Sequence, residues 1–163
     1  MRRGYILLLG IGGTLLGSYL TAYKLHLTNS LWCGTGGCEQ VQSSPWAYFL
    51  NQPVAFWGAL TYLVITVLAA LSIYGRGSAL TLAPWGIMLL AGWGVLFSAY
   101  LTYAELFWIH AICYWCVVSA LLITSIFILA LLEVRASRLV AVGDRQSTDA
   151  PRAHNRPADR SIA

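Results

Sequence analysis

Residues 114–132 read YWCVVSALLITSIFILALL, a run without Asp, Glu, Lys or Arg. A helix advances about 1.5 Å per residue, so roughly 20 apolar residues cross the ~30 Å hydrocarbon core of a bilayer. Inside lipid, the backbone amides must find partners within the segment itself, which favours a helix. The run therefore predicts a membrane-spanning helix.

Three earlier stretches have the same character. Residues 4–23, 54–74 and 82–103 also contain no charged side chain. The chain of 163 residues is 58% hydrophobic and 10% charged, with a mean hydropathy of +0.67, which is unusual for a soluble domain. We predict an all-α integral membrane protein, a four-transmembrane-helix bundle.

The first of these stretches has two alternative interpretations. Arg2 and Arg3 before an apolar run resemble the start of a secretory signal peptide. We favour a retained span, because the run is full length and has no convincing small-x-small cleavage site near its end. Gly13 and Gly17 form a Gly-x-x-x-Gly pair, which we interpret as packing inside the bundle rather than as a dimerisation signal.

The basic residues near the spans predict the orientation, because cytoplasmic loops are enriched in Lys and Arg. One side of the membrane receives Arg2, Arg3, Arg76, Arg135 and Arg138, and the other only Lys24. We therefore expect both termini in the cytoplasm. The long first loop, residues 24–53, and the short third loop, residues 104–112, are expected on the extracytoplasmic face.

The end of the chain differs in composition from the rest. After Val142 it is rich in Asp, Arg, Ser and Pro and has almost no apolar residues. We predict a membrane domain over residues 1–142 and a disordered cytoplasmic tail over residues 143–163. Nucleic-acid binding is not expected, since the basic residues form no continuous stripe.

All four cysteines fall on the predicted extracytoplasmic face, where an oxidising environment favours disulfide chemistry. Cys113 and Cys116 are three residues apart at a helix start, so their sulfurs share one helix face. The partial positive charge of a helix N-terminus favours thiolate over thiol. This pair therefore has the properties of a redox couple.

Cys33 and Cys38 form a second pair, separated by Gly-Thr-Gly-Gly. Such a linker bends and swings easily, which suits a pair that exchanges partners with another pair. Two alternatives remain: structural disulfides in a non-enzymatic membrane scaffold, and a zinc site with His110 as an extra ligand. We favour the relay because two pairs occur on one face, and we expect no metal.

A resemblance to a known family rests on five features. They are Cys33, the run CEQVQSSPW at residues 38–46, Gly58, Tyr62, and the CYWC motif at residues 113–116. In this order and spacing they resemble the vitamin K epoxide reductase family over about residues 4–132. DsbB-like quinone reductases instead carry their Cys-x-x-Cys motif in the first loop.

The resemblance implies a four-helix bundle around a quinone, closed by the first loop. It implies a shuttle role for Cys33 and Cys38, a redox centre at Cys113 and Cys116, and a position near that centre for Ser44. Phe56, Trp57, Trp108 and Trp115 are further candidates for quinone contacts, because they lie near the extracytoplasmic ends of the spans.

Two departures from vertebrate members point to the bacterial type. Val54 stands where those members have Asn, and Ala120 stands where they have Tyr. Bacterial members resemble DsbB in role, reoxidising a DsbA-like thioredoxin-fold protein at the expense of a quinone of the ubiquinone or menaquinone type. The residues after 132 could not build a thioredoxin-fold domain, so we expect a separate partner.

This resemblance gives the functional hypothesis. We expect a quinone-dependent thiol oxidoreductase of the bacterial inner membrane that supports disulfide formation, with its active site on the periplasmic side. Epoxide reduction of the vitamin K type is the alternative activity.

Overall fold

The computed structural model describes residues 2–25, 27, 33, 37–75 and 79–154. Its long helices are α1 (Arg2–Lys24), α3 (Val54–Tyr74), α4 (Ala79–Ala104) and α5 (Tyr114–His154). Among the described residues, four helices are long and apolar enough to cross a membrane: Arg2–Lys24, Val54–Tyr74, Leu82–Ile109 and Tyr114–Leu139. The predicted fold class is confirmed, while the orientation of the loops stays a prediction.

Helix α1 packs closely on α3 through a row of glycines. A Cβ atom added to Gly17 would lie 2.9 Å from Ala59, and one added to Gly13 would overlap the ring of Tyr62. A larger side chain would push the two helices apart, so only small residues allow this approach. The predicted role of Gly13 and Gly17 in packing within the bundle is confirmed.

The core of the bundle lies between all four long helices. Ile65, Ala69, Ala91 and Ile126 are fully buried there, and Ile6 of α1 belongs to the same cluster. At the end that holds the start of α1, Arg3 bonds Glu133 of α5 at 2.7 Å and the Ser72 carbonyl of α3 at 2.8 Å. These contacts join three helices at the end of the bundle away from the cysteines.

The described part of the first loop is folded rather than extended. Helix α2 (Gly37–Ser43) is followed by a 3₁₀ turn at Pro45–Ala47 and by strands β1 (Tyr48–Phe49) and β2 (Gln52–Pro53), which pair antiparallel. The Lys24 side chain bonds the Gln42 carbonyl and lies 4.1 Å from the centre of the Tyr48 ring. The end of α1 is thereby joined to this loop.

The third loop is shorter than the sequence predicts. Residues 104–112 are expected as a loop, but Glu105–Ile109 continue the third span as a π-helical turn. The turn ends at His110, whose left-handed backbone (φ 53°) directs its N–H to the Glu105 carbonyl. The apolar side chains from Leu106 to Ile109 extend the span, and the left-handed cap supplies the missing backbone partner.

The predicted tail is described only in part. The backbone of α5 continues as helix to His154, where the sequence predicts disorder from residue 143 onward. Residues 155–163 lie outside the described residues. The division into a membrane domain and a disordered tail stays a prediction.

Candidate active site

The two cysteine pairs meet in one buried cluster. Cys33 and Cys38 are joined by a disulfide with Cα atoms 6.1 Å apart, while Cys113 and Cys116 are free thiols. Cys38 and Cys113 are both 0% exposed and share the cluster with Val41, and Cys33 and Cys116 pack against it. Exchange between thiols and disulfides needs contact, and this cluster provides it.

A close approach of backbone to backbone brings the pairs together. Helix α2 begins at Gly37, where an added Cβ would lie 2.5 Å from the carbonyl oxygen of Ile112. A glycine is needed here because any side chain would separate α2 from the residue before Cys113. The expected flexibility of the linker concerns Gly34, Thr35 and Gly36, which lie outside the described residues.

Cys113 immediately precedes α5, and its thiol is more acidic than usual. Its carbonyl accepts the Cys116 N–H at 3.0 Å and the Val117 N–H at 3.1 Å. A hydrogen bond from the Cys116 side chain lowers the pKa of the Cys113 thiol below its usual value, and the backbone N–H groups of Trp115 and Cys116 add to this effect. Burial and the charge of Glu105 oppose the shift without reversing it.

A cavity of about 290 Å³ lies between the four spanning helices, beneath α2. Cys116 is among its lining residues. Cys113, by contrast, does not belong to the described part of the cavity wall. The wall is mostly apolar, with polar side chains from several elements: Gln42, Ser44, Thr61, Tyr62, Ser98, Thr102, Glu105 and Ser119. The cysteine cluster and the cavity therefore share Cys116.

Two of the five predicted quinone contacts line this cavity. Ser44 and Trp57 belong to its wall. Phe56 (43% exposed) and Trp108 (63% exposed) lie outside it, the latter packed edge-to-face on Trp46, and Trp115 packs against the cysteine cluster. Whether any of the five binds a quinone stays a prediction.

Several wall residues were not predicted. Trp46, Phe49, Trp93 and Phe97 supply aromatic surface from the first loop and α4. Trp46 belongs to the motif at residues 38–46, so its position near the site had a signal in the sequence. The sequence held no such signal for Trp93 and Phe97, because every face of α4 is apolar.

Glu105 is the most informative residue that the sequence analysis did not single out. It is 3% exposed, lines the cavity, and accepts the Cys113 N–H at 3.2 Å. Its carboxylate also lies next to the Cys116 side chain. The sequence did hold a signal, since Glu105 is the only acidic residue between Glu39 and Glu133 and follows a long apolar run.

The zinc hypothesis gains no support from the described residues. In that part of the chain, no three His, Cys, Asp or Glu residues are placed to hold a metal ion. The Cys33 and Cys38 sulfurs are bonded to each other, and His110 is exposed.

Four membrane-spanning helices with a disulfide packed on a Cys-x-x-Cys pair define a class of integral membrane oxidoreductases. Residues 5–131 match the model of the vitamin K epoxide reductase family, and the chain belongs to that family. The resemblance seen in the cysteine and Ser-Ser-Pro-Trp motifs is thereby confirmed. Enzymes of this family are oxidoreductases that in general use quinones.

Proposed function

We propose that the protein oxidises a dithiol partner and passes the electrons to a membrane quinone, in support of disulfide formation. The observation that carries this proposal is the double position of Cys116. It packs against the buried cysteine cluster and also lines the cavity, so one sulfur connects thiol exchange to a small-molecule site.

The thiol steps follow from exposure within the first pair. Cys38 is fully buried while Cys33 is partly accessible, so a partner thiolate attacks Cys33 and releases Cys38 as thiolate. The second partner thiol then displaces Cys33 and leaves as part of the partner's own disulfide. The partner loses two electrons, which now reside on Cys33 and Cys38.

Transfer to the second pair uses the contact inside the cluster. The Cys38 thiolate attacks the Cys113 sulfur of a Cys113–Cys116 disulfide and releases Cys116. The Cys33 thiolate then attacks Cys38, restores the first disulfide and releases Cys113. This sequence ends with a Cys33–Cys38 disulfide and free thiols at Cys113 and Cys116, the arrangement described above.

The cavity residues fit a quinone head group. An apolar wall suits a flat ring, and the Gln42 amide is a group of the kind that bonds ring carbonyls. The Ser44 hydroxyl lies in the same wall and donates to the Val41 carbonyl at 2.7 Å. A bound quinone supplies an acceptor for two electrons and two protons. Cys116 supplies the electrons from the cavity side as the Cys113–Cys116 disulfide forms again.

The partner class follows from family membership and from the predicted topology. A separate DsbA-like thioredoxin-fold protein on the periplasmic side of the inner membrane would meet Cys33. Epoxide reduction is not proposed, because Val54 gives the cavity wall an apolar side chain where vertebrate members carry an amide.

The test is an assay of the purified full chain in lipid nanodiscs, with a reduced DsbA-like protein as donor and a ubiquinone or menaquinone analogue as acceptor. We expect quinol to form in step with oxidised partner, and both to stop in Cys116→Ala. Cys38→Ala, incubated with oxidised partner instead, should retain a mixed disulfide, because the Cys33 thiolate opens the partner's disulfide and no thiol at residue 38 resolves the product.

Two results would contradict the proposal. Full partner oxidation by Cys33→Ala would remove the role of Cys33. Cysteines that keep one redox state throughout incubation with donor and acceptor would instead support a scaffold with structural disulfides.

A further inference from the structure

Glu105 is a buried acid at the junction of the two cysteine pairs and the cavity. Among the residues that the structure describes, the only ion pair joins Arg3 to Glu133, so Glu105 has no cationic partner there. A buried carboxylate without a counter-charge is costly, and an ionisable side chain inside a span marks a functional site. The contacts of Glu105 indicate what that function is.

One contact could be purely structural. The Cys113 N–H at 3.2 Å lies at the start of α5, where an acceptor satisfies an unpaired amide and a negative charge is favoured. A neutral Gln side chain would serve this amide almost as well. The amide alone therefore does not explain why an ionisable acid is buried here.

The second contact involves a reacting atom. Glu105 reaches the start of α5 through its bond to the Cys113 N–H at 3.2 Å, and its carboxylate and the Cys113 sulfur are the polar neighbours of the Cys116 side chain. Glu105 and Cys116 both line the cavity. A proton on the Glu105 carboxylate would therefore face a quinone bound in that cavity.

We infer that Glu105 is a catalytic residue of the proposed quinone reaction, which accepts the Cys116 proton and delivers it to a quinone oxygen. The inference rests on the proposed function and adds the route of the proton. Glu105 takes the proton as the Cys113 thiolate attacks the Cys116 sulfur. The S–S bond forms, two electrons leave to the acceptor, and Glu105 returns as carboxylate.

The protons balance over one turnover. The exchange releases Cys116 as thiolate, which takes up a proton from water and enters the quinone step as thiol, while Cys113 enters as thiolate. One proton of the quinol therefore comes from Cys116 through Glu105, and the second comes directly from water. A disulfide and a quinol result, with no net change at Glu105.

The decisive variants are Glu105→Gln, which keeps the acceptor for the Cys113 N–H, and Glu105→Asp, which keeps the acid. At pH 7 we expect Glu105→Gln to lower kcat for quinol formation about 100-fold, the range for loss of one general acid-base group. Glu105→Asp should recover part of this loss. Glu105→Gln has no base at this position, so the Cys116 thiol must lose its proton to hydroxide. Its rate of quinol formation should therefore rise by up to tenfold for each pH unit.

The pH readout is specific to this carboxylate and the two thiols. The other titratable side chains near Glu105 are Tyr62 of α3, which lines the same cavity, and the exposed Glu39, Tyr100, Tyr103 and His110. These groups are the same in wild type and in Glu105→Gln, so their contribution cancels in the ratio of the two rates.

A second measurement requires no quinone. Electron transfer from reduced partner to the Cys113–Cys116 disulfide can be followed by quenching with an alkylating agent. Its rate in Glu105→Gln should stay within about twofold of wild type, because Cys116 leaves as a thiolate in these steps and is protonated only afterwards. If this exchange slowed in Glu105→Gln as much as quinol formation does, the role of Glu105 would be structural and the inference would be overturned.

The remaining outcomes are distinguishable. The role of Glu105 alone is overturned if the wild-type protein forms quinol and Glu105→Gln forms it at the same rate. It is also overturned if the loss of rate in Glu105→Gln does not vary with pH. No quinol from the wild-type protein overturns the proposed function and the inference together.

Discussion

Cys113 and Cys116 are neighbours on one helix face but differ in what surrounds them. Cys113 is fully buried against Cys38, and Cys116 reaches the cavity wall. Three residues advance a helix by about 4.5 Å at 1.5 Å each, so the second sulfur lies deeper in the bundle. A single turn of helix thus separates the cysteine cluster from the cavity.

Substitution of either cysteine tests this division. In Cys113→Ala, Cys116 loses its disulfide partner and should persist as a thiolate facing bound quinone, which gives a visible charge-transfer band. Cys116→Ala should lack the band and accumulate a Cys38–Cys113 disulfide. Absorption spectra with added quinone check both, and a band confined to Cys116→Ala would reverse the two roles.

Gly58 offers a test of the cavity itself. It lines the wall, and a Cβ added there would meet nothing within 4 Å. Gly58→Ala should therefore leave stability unchanged or raise it by about 0.5–1 kcal/mol, since Ala is the better helix former. Gly58→Leu should fill part of the cavity and raise KM for quinone about tenfold, which corresponds to ~1.4 kcal/mol.

The matched control for this substitution is Gly12→Leu. Gly12 also has nothing within 4 Å of an added Cβ, and it is not among the described residues of the cavity wall. An unchanged KM in Gly58→Leu, measured by quinol formation, would show that the ring binds elsewhere.

At the scale of elements, α2 positions Cys38. The helix is short, and its place depends on the close approach of Gly37 to Ile112 and on the Lys24 side chain at its far end. A cation bonded to a C-terminal carbonyl also stabilises a helix end. These contacts hold the buried sulfur against Cys113.

Gly37→Ala should disturb this docking. The new methyl group would lie 2.5 Å from the Ile112 oxygen, so α2 must shift away from Cys113. We expect Cys38–Cys113 exchange to slow about tenfold, consistent with an overpacking cost of ~1–3 kcal/mol. Attack of the partner on Cys33 should keep its rate.

Rapid alkylation followed by gel analysis separates the two steps. Gly12→Ala is the control, because its added Cβ meets open space. Exchange at the wild-type rate in Gly37→Ala would mean that α2 does not set the distance between the pairs.

At the scale of the whole molecule, the bundle has two chemically different ends. One end carries the cysteines, Lys24 and the folded first loop. The other carries the Arg3–Glu133 ion pair and Arg138, which lies 4.5 Å from the Trp85 ring centre. This asymmetry matches the charge pattern from which we predict a cytoplasmic position for the arginine-rich end.

Labelling of thiols from one side of the membrane tests the topology. We expect a membrane-impermeant maleimide to reach reduced Cys33 from the periplasmic side only. A cysteine introduced at Arg76, in a chain whose four native cysteines are replaced by serine, should be labelled from the cytoplasmic side only. Labelling of Cys33 from the cytoplasm alone would overturn the orientation.

The sequence by itself determined the four spans, because hydropathy is a property of each segment and does not depend on its neighbours. It also identified the cysteine pairs and the family, since these depend on residue type and spacing. The tertiary structure decided which residues surround the cavity, because the rotation of each apolar helix is set by packing against the others. Trp93, Phe97 and the buried carboxylate of Glu105 reach the site in this way. The meeting of Cys38 with Cys113 likewise required a close approach between distant segments, which no local pattern encodes.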